Sequence, residues 1–128
     1  MPTEWRSLGI VYRLGRRTPN NFTPKPKDMI GHPGLREPGL SILEHLAEGE
    51  IGIAINLSLL SHPLRAFADD PGSPGRPGHL AIAPVDHDGS VDVEKLREWI
   101  KSRETDLNHP FTQQILEAVI PGKVKGPT

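Results

Sequence analysis

Apolar and polar positions alternate over residues 10–14: Ile10, Tyr12 and Leu14 fall on one side, Val11 and Arg13 on the other. Successive side chains of a strand point to opposite faces, and β-branched and aromatic types favour a pleated surface. The pattern predicts a strand over residues 8–14, closed by Gly15. Residues 18–39 lose this regularity. Pro19, Pro24, Pro26, Pro33 and Pro38 remove amide donors and fix φ, which excludes a long helix or a central strand. A loop of this length is ordinarily functional or disordered. Phe22, Met29, Ile30 and Leu35 are spaced along it as apolar anchors and favour an ordered, functional loop.

The next stretch, Ser41-Ile42-Leu43-Glu44, has the form of a capping box, and Ile42, Leu43 and Leu46 give an apolar stripe ahead of Gly49. It predicts a helix starting at Ser41. Ile51, Ile53 and Ile55 then alternate with Gly52 and Ala54, which predicts a strand over residues 50–56 with a small-residue second face. Residues 57–67 are ambiguous, with Pro63 breaking any long helix, and residues 69–78 form a second Pro/Gly-rich loop. Residues 79–85 predict another strand, and residues 86–90 a turn. Asp92 caps a helix from Val93 to about Arg103, with Leu96, Trp99 and Ile100 on one face. Asn108 or His109 caps a further helix with Pro110 in first position. Phe111, Ile115, Leu116 and Val119 form its stripe, Pro121 and Gly122 its end, and residues 123–125 a short strand or tail. No internal repeat appears. The reading is one α+β domain over residues 1–128, with a small mixed or antiparallel sheet and two or three packed helices.

Composition narrows the function classes. Gly and Pro make up 27 of the 128 residues and aromatics 5%, so loops are abundant and the core is aliphatic. The absence of Cys excludes a disulfide framework, a thiolate nucleophile and Cys-ligated zinc. The longest apolar stretch, residues 51–60, is interrupted by Gly52, Asn56 and Ser58, well short of the eighteen or so residues of a span. The first six residues lack an apolar h-region, so no signal peptide is expected. The formal net charge of −1 argues against a dedicated polyanion binder. Its distribution is uneven: residues 1–40 carry a net +4 and residues 41–128 a net −5. That asymmetry fits either attraction to an anionic partner or attraction between the two segments.

Several residues could carry chemistry. A guanidinium on a strand end, Arg13, can fork onto a phosphate or carboxylate. A Pro-stiffened bend bearing Lys25 and Lys27 can add positive charge, and Ser41 at a helix N-terminus would offer a hydroxyl and amides to an anion. Together they suit a diphosphate-bearing ligand. The structural alternatives are an Arg13 ion pair with the acidic C-terminal part, Ser41 as a plain cap, and solvated lysines. The six histidines (His32, His45, His62, His79, His87, His109) show no paired metal-binding spacing, and residues 86–89 read as a turn. No Gly-x-Ser-x-Gly elbow supports a nucleophile triad.

The run Tyr12-Arg13-Leu14-Gly15, then Asn21-Phe22-Thr23-Pro24-Lys25-Pro26-Lys27-Asp28, then Gly39-Leu40-Ser41, resembles the opening of ADP-ribosyltransferase-like toxin domains. These include bacterial polymorphic and type VI-secreted toxins. The resemblance covers residues 10–43 and continues through residues 78–82 and 96–99. It implies an ADP-ribosyltransferase-like fold that binds NAD as substrate, without a metal. Its implied activity is cleavage of the nicotinamide–ribose bond and transfer of ADP-ribose to a macromolecule or to water. By resemblance, Arg13 contacts the NAD phosphate or ribose, and Ser41 shapes the nicotinamide pocket. A late Glu, for which Glu117 is the candidate, steadies the ribose centre. Tyr12, Thr23, Lys25 and His109 complete the implied cofactor-binding set.

The chain departs from the family pattern in two places. No Glu-x-Glu occurs near the C-terminus, and Ser41 is followed by Ile42-Leu43 in place of a Ser-Thr-Ser motif. The implied partners are an acceptor (protein or nucleic acid) and a cognate immunity or antitoxin protein, and the implied location is the cytoplasm of a producing or target cell. Two other classes remain open: a non-catalytic protein-interaction module using the Pro-rich loops, and a metal-independent nuclease toxin using His109 with basic residues.

Overall fold

The computed structural model describes residues 5–6, 9–29, 38–68 and 78–127. Seven strands form one sheet: β1 (Trp5–Arg6), β2 (Ile10–Leu14), β3 (Leu40–Leu43), β4 (Ile51–Asn56), β5 (Leu64–Ala68), β6 (His79–Pro84) and β7 (Val119–Lys125). Their spatial order is β1-β5-β6-β3-β2-β4-β7, and every pairing is antiparallel. Two helices, α1 (Val93–Thr105) and α2 (Pro110–Glu117), complete an α+β architecture. Neither helix is long and apolar enough to cross a membrane. Residues 30–37 of the first loop, with the anchors Ile30 and Leu35, lie outside the described residues, as do residues 69–77 of the second.

Register sorts side chains into two faces, because residues directly opposite on neighbouring strands point the same way. Val11 lies opposite Ile55 and Arg13 opposite Ile53, while Leu40 pairs with Ile82 and Ile42 with Leu80. These apolar residues form one buried cluster with Leu64, Ala66 and the helix residues Leu96, Trp99, Ile100, Ile115 and Leu116. Both helices therefore pack on this first face, through the stripes their 3.6-residue period dictates. Burying each such side chain stabilises the fold by roughly 1.5–3 kcal/mol.

The second face carries Ile10, Tyr12, Leu14, Ser41, Leu43, Gly52, Ala54, Phe67, His79, Ala81 and Ala83. Phe67, Ala83 and Val85 make a smaller apolar cluster of their own.

Asp92 caps α1, its carboxylate accepting from the Lys95 amide at 3.1 Å, and His109 caps α2 ahead of Pro110. Two expected elements differ. Residues 40–43 form β3 in place of a helix starting at Ser41. The capping-box residues are present, but Leu40 and Ile42 are fully buried on one face while Ser41 points to the other. Pairing on both sides, with β6 and β2, outweighs the local helix signal. Glycine permits the entry into β3: Gly39 has φ +139°, and a Cβ there would lie 2.4 Å from the Ile82 carbonyl oxygen.

The second difference concerns the end of α2, which stops at Glu117. Val119 is not in its stripe but opposite Ile55 in β7. That strand runs through Pro121 and Gly122, with a register shift against β4. As an edge strand it tolerates a residue without an amide donor.

Candidate functional site

Arg13 leaves β2 on the helix-bearing face, where the first loop meets α1 and α2. Residues 18–29 are ordered as two 3₁₀ turns, Pro19–Phe22 and Pro26–Met29. Thr18 caps the first, and the Asp28 carboxylate accepts from the Lys25 amide at 2.6 Å. Four consecutive carbonyls of this loop accept bonds from side chains. Arg103 Nη1 donates to Asn20 at 2.8 Å and to Thr23 at 2.9 Å. Arg13 Nε donates to Asn21 at 2.6 Å, and Thr112 Oγ1 to Phe22 at 3.3 Å. Thr112, fully buried on α2, also accepts the indole N–H of Trp99 at 2.9 Å and lies 2.7 Å from Thr23 Oγ1. Thr23 in turn donates to the Pro19 carbonyl at 2.9 Å. A buried carbonyl without a donor would be costly, so these side chains hold the loop as backbone hydrogen bonds hold a strand.

The same guanidinium reaches β3. Arg13 Nη1 donates to the Ser41 carbonyl at 2.6 Å. Strands β2 and β3 pair only at Tyr12 and Leu43, so beyond that point a side chain takes the place of the ladder. Burial holds the Arg13 pKa below the usual arginine value; Asp28 opposes this shift and Arg103 adds to it.

Arg13 and Ser41 thus meet, but through the serine's backbone. The Ser41 hydroxyl lies on the second face, 2.5 Å from His79 Nε2. His79 is only 5% exposed and Ser41 half-buried. Tyr12 is on this face too, one strand from Leu43, which sits opposite His79. Ile10 and Leu14 flank Tyr12 on the same side of β2 and are 49% and 39% exposed. Beside them opens a cleft of about 390 Å³, lined by Tyr12, His45, Leu46, Val124, Lys125, Gly126 and Pro127. Its wall is pinned where the β3–β4 connection meets the chain's end. The Gly126 amide donates to the Glu50 carbonyl at 2.7 Å, and a Cβ at Gly126 would lie 2.1 Å from the Ala47 carbonyl oxygen.

This face offers an aromatic ring and a hydroxyl backed by an imidazole. A hydroxyl hydrogen-bonded to histidine can pass a proton to or from a ligand hydroxyl.

The other sequence candidates are elsewhere. Thr23 is fully buried in the loop network, and Lys25 is exposed on the turn. His109 caps α2, its Nδ1 accepting from the Phe111 amide at 3.1 Å. Glu117 is exposed in the last turn of α2, on an element packed against the first face. The structure therefore joins Tyr12 with Ser41 on one face and Arg13 with the Thr23 loop on the other; Lys25 stands on the exposed side of that loop, His109 reaches it only through Phe111 and Trp99, and Glu117 is set apart from the Tyr12 face.

Sequence reasoning missed His79, His45, Arg103 and Thr112. His79 had a readable signal, a polar residue opening an otherwise apolar strand. Arg103 and Thr112 had none, since their loop partners are distant in sequence. No family model matches the chain, and no curated protein or solved structure matches it.

Proposed function

We propose that this chain is a toxin-type domain that binds NAD on the Tyr12 face and cleaves its nicotinamide–ribose bond. ADP-ribose passes to a macromolecular acceptor or to water. The observation that carries the reading is the Ser41 hydroxyl, 2.5 Å from a buried His79, on the same face of the sheet as Tyr12, which lines an open cleft. A cleft of this size is in the range of small-molecule sites. Tyr12 with Ile10 and Leu14 gives a heterocycle an apolar surface, and the Ser41–His79 pair holds a ribose hydroxyl.

In the reaction the C1′–N1 bond breaks and nicotinamide leaves with the electron pair. The acceptor oxygen or nitrogen then bonds C1′ and loses its proton. Catalysis of this kind is positioning plus stabilisation of developing charge. Arg13 acts as a positioning residue, fixing β3 through the Ser41 carbonyl. A cognate immunity protein that covers the cleft belongs to the same reading.

The test is nicotinamide release from NAD by the wild type and by Ser41→Ala and His79→Ala, each checked for folding. Loss of at least tenfold in both folded variants is expected. Unchanged release in both would remove the face from the reaction.

One observation favours a second reading, a non-catalytic interaction module. Glu117 is not on the Tyr12 face, and neither are the α1 residues Glu94 and Glu98. Absence of both NAD binding and nicotinamide release in the wild type would overturn the NAD reading and favour that alternative.

A further inference from the structure

The N-cap of α2 is a histidine, and the ring is bonded through the nitrogen that must be unprotonated to serve. His109 Nδ1 accepts from the Phe111 amide at 3.1 Å. An imidazolium has two donors and no acceptor, so a proton on Nδ1 deletes this bond. It would also place a positive charge at the positive end of the helix dipole. The ring is built into the packing. It stands edge-on to Phe111 with centroids 4.9 Å apart, and Phe111 stands edge-on to Trp99 at 5.6 Å. Trp99 donates to Thr112, and Thr112 holds the Phe22 carbonyl. The cap of α2 is thereby continuous with the turn that Arg13 and Arg103 fix.

We propose that His109 is an acid-sensitive latch, whose protonation withdraws the cap of α2 and loosens that helix together with the turn at residues 19–22. Among the described residues, the charged groups that act on the ring are Asp106 in the α1–α2 connection and Glu98 on α1; α2 itself presents uncharged Phe111. Burial holds the imidazole below its ordinary pKa, against the pull of Asp106 and Glu98. The sign follows from linkage. The unfolded chain protonates near 6.5 and the folded chain at lower pH, so the unfolded state takes up the proton first. The stabilisation from the neutral ring is complete above the unfolded value and is lost as pH falls through the folded one.

The test is chemical denaturation of the whole chain at pH 7.5 and pH 5.0, wild type against His109→Asn. Asparagine caps helices well and does not titrate in this range. The two proteins should be close at pH 7.5. At pH 5.0 the wild type should be the weaker, by roughly 2- to 30-fold in the folding equilibrium constant, the range of a lost cap. An equal difference at both pH values would overturn the latch. A titration of the wild-type imidazole by NMR stands independent of the variant. A midpoint below that of a histidine peptide, with the Trp99 indole N–H signal shifting over the same range, supports the latch. A midpoint at or above the peptide's overturns it.

Discussion

On the helix-bearing face of the sheet, Arg13, Thr23, Thr112 and Arg103 are bonded to the chain itself, mostly to main-chain carbonyls brought together by folding. On the opposite face, Ser41 and His79 are bonded to each other and Tyr12 lines a cleft, with Ile10 and Leu14 part-exposed next to it. The first arrangement is that of a buried polar network, whose members are costly to remove singly. The second holds the pair that the proposed reaction uses. Polarity alone therefore does not mark a candidate site. Arg13 is the most suggestive residue in the sequence, yet its guanidinium is occupied by two carbonyls at 2.6 Å each.

Replacing Trp99 should show the largest effect. Trp99 is fully buried and donates to Thr112, so Trp99→Ala removes core volume and opens the network together. A loss of about 3–5 kcal/mol is expected, measured by urea denaturation. A loss under about 1 kcal/mol would mean that the helix-bearing face is not the core of the fold. Arg13→Ala comes next, at about 3 kcal/mol, because it strips donors from the Asn21 and Ser41 carbonyls. Arg13→Lys sharpens the point: it keeps the charge but cannot fork, and should recover less than half of the loss. Full recovery would recast Arg13 as a charge and not a strut. The smallest effect belongs to Glu117→Gln. This residue is exposed on α2, so stability should change by less than about 0.5 kcal/mol and nicotinamide release by less than twofold. A collapse of release with stability unchanged would bring Glu117 back into the reaction and break the division between the faces.

Much of the frame was readable residue by residue. The alternation of Ile10, Tyr12 and Leu14 against Val11 and Arg13 assigns the two sides of β2 correctly, and Asp92 and Pro110 mark the starts of both helices. What escaped reading depends on partners far along the chain. Ser41-Ile42-Leu43-Glu44 carries a local helix signal, and only pairing with β2 and with β6, far along the chain, makes it a strand. Pro121 and Gly122 look like a stop, and only the edge position of β7 lets a strand run through them. The same holds for the site. Ser41 and Tyr12 could be singled out early, but nothing local says that the Ser41 hydroxyl meets His79 while its carbonyl meets Arg13. Arg103 and Thr112 sit inside helical patterns where their partners, residues 20–23, leave no trace.

The division between the faces is tested most directly by following the assigned NMR spectrum of the wild-type chain as NAD is added. Shifts should concentrate at Tyr12, Ser41, His79, His45 and Lys125, with the Trp99 indole and Thr112 unmoved. Saturable shifts centred on Lys25, Arg103 and Glu117, with Ser41 and His79 silent, would contradict it.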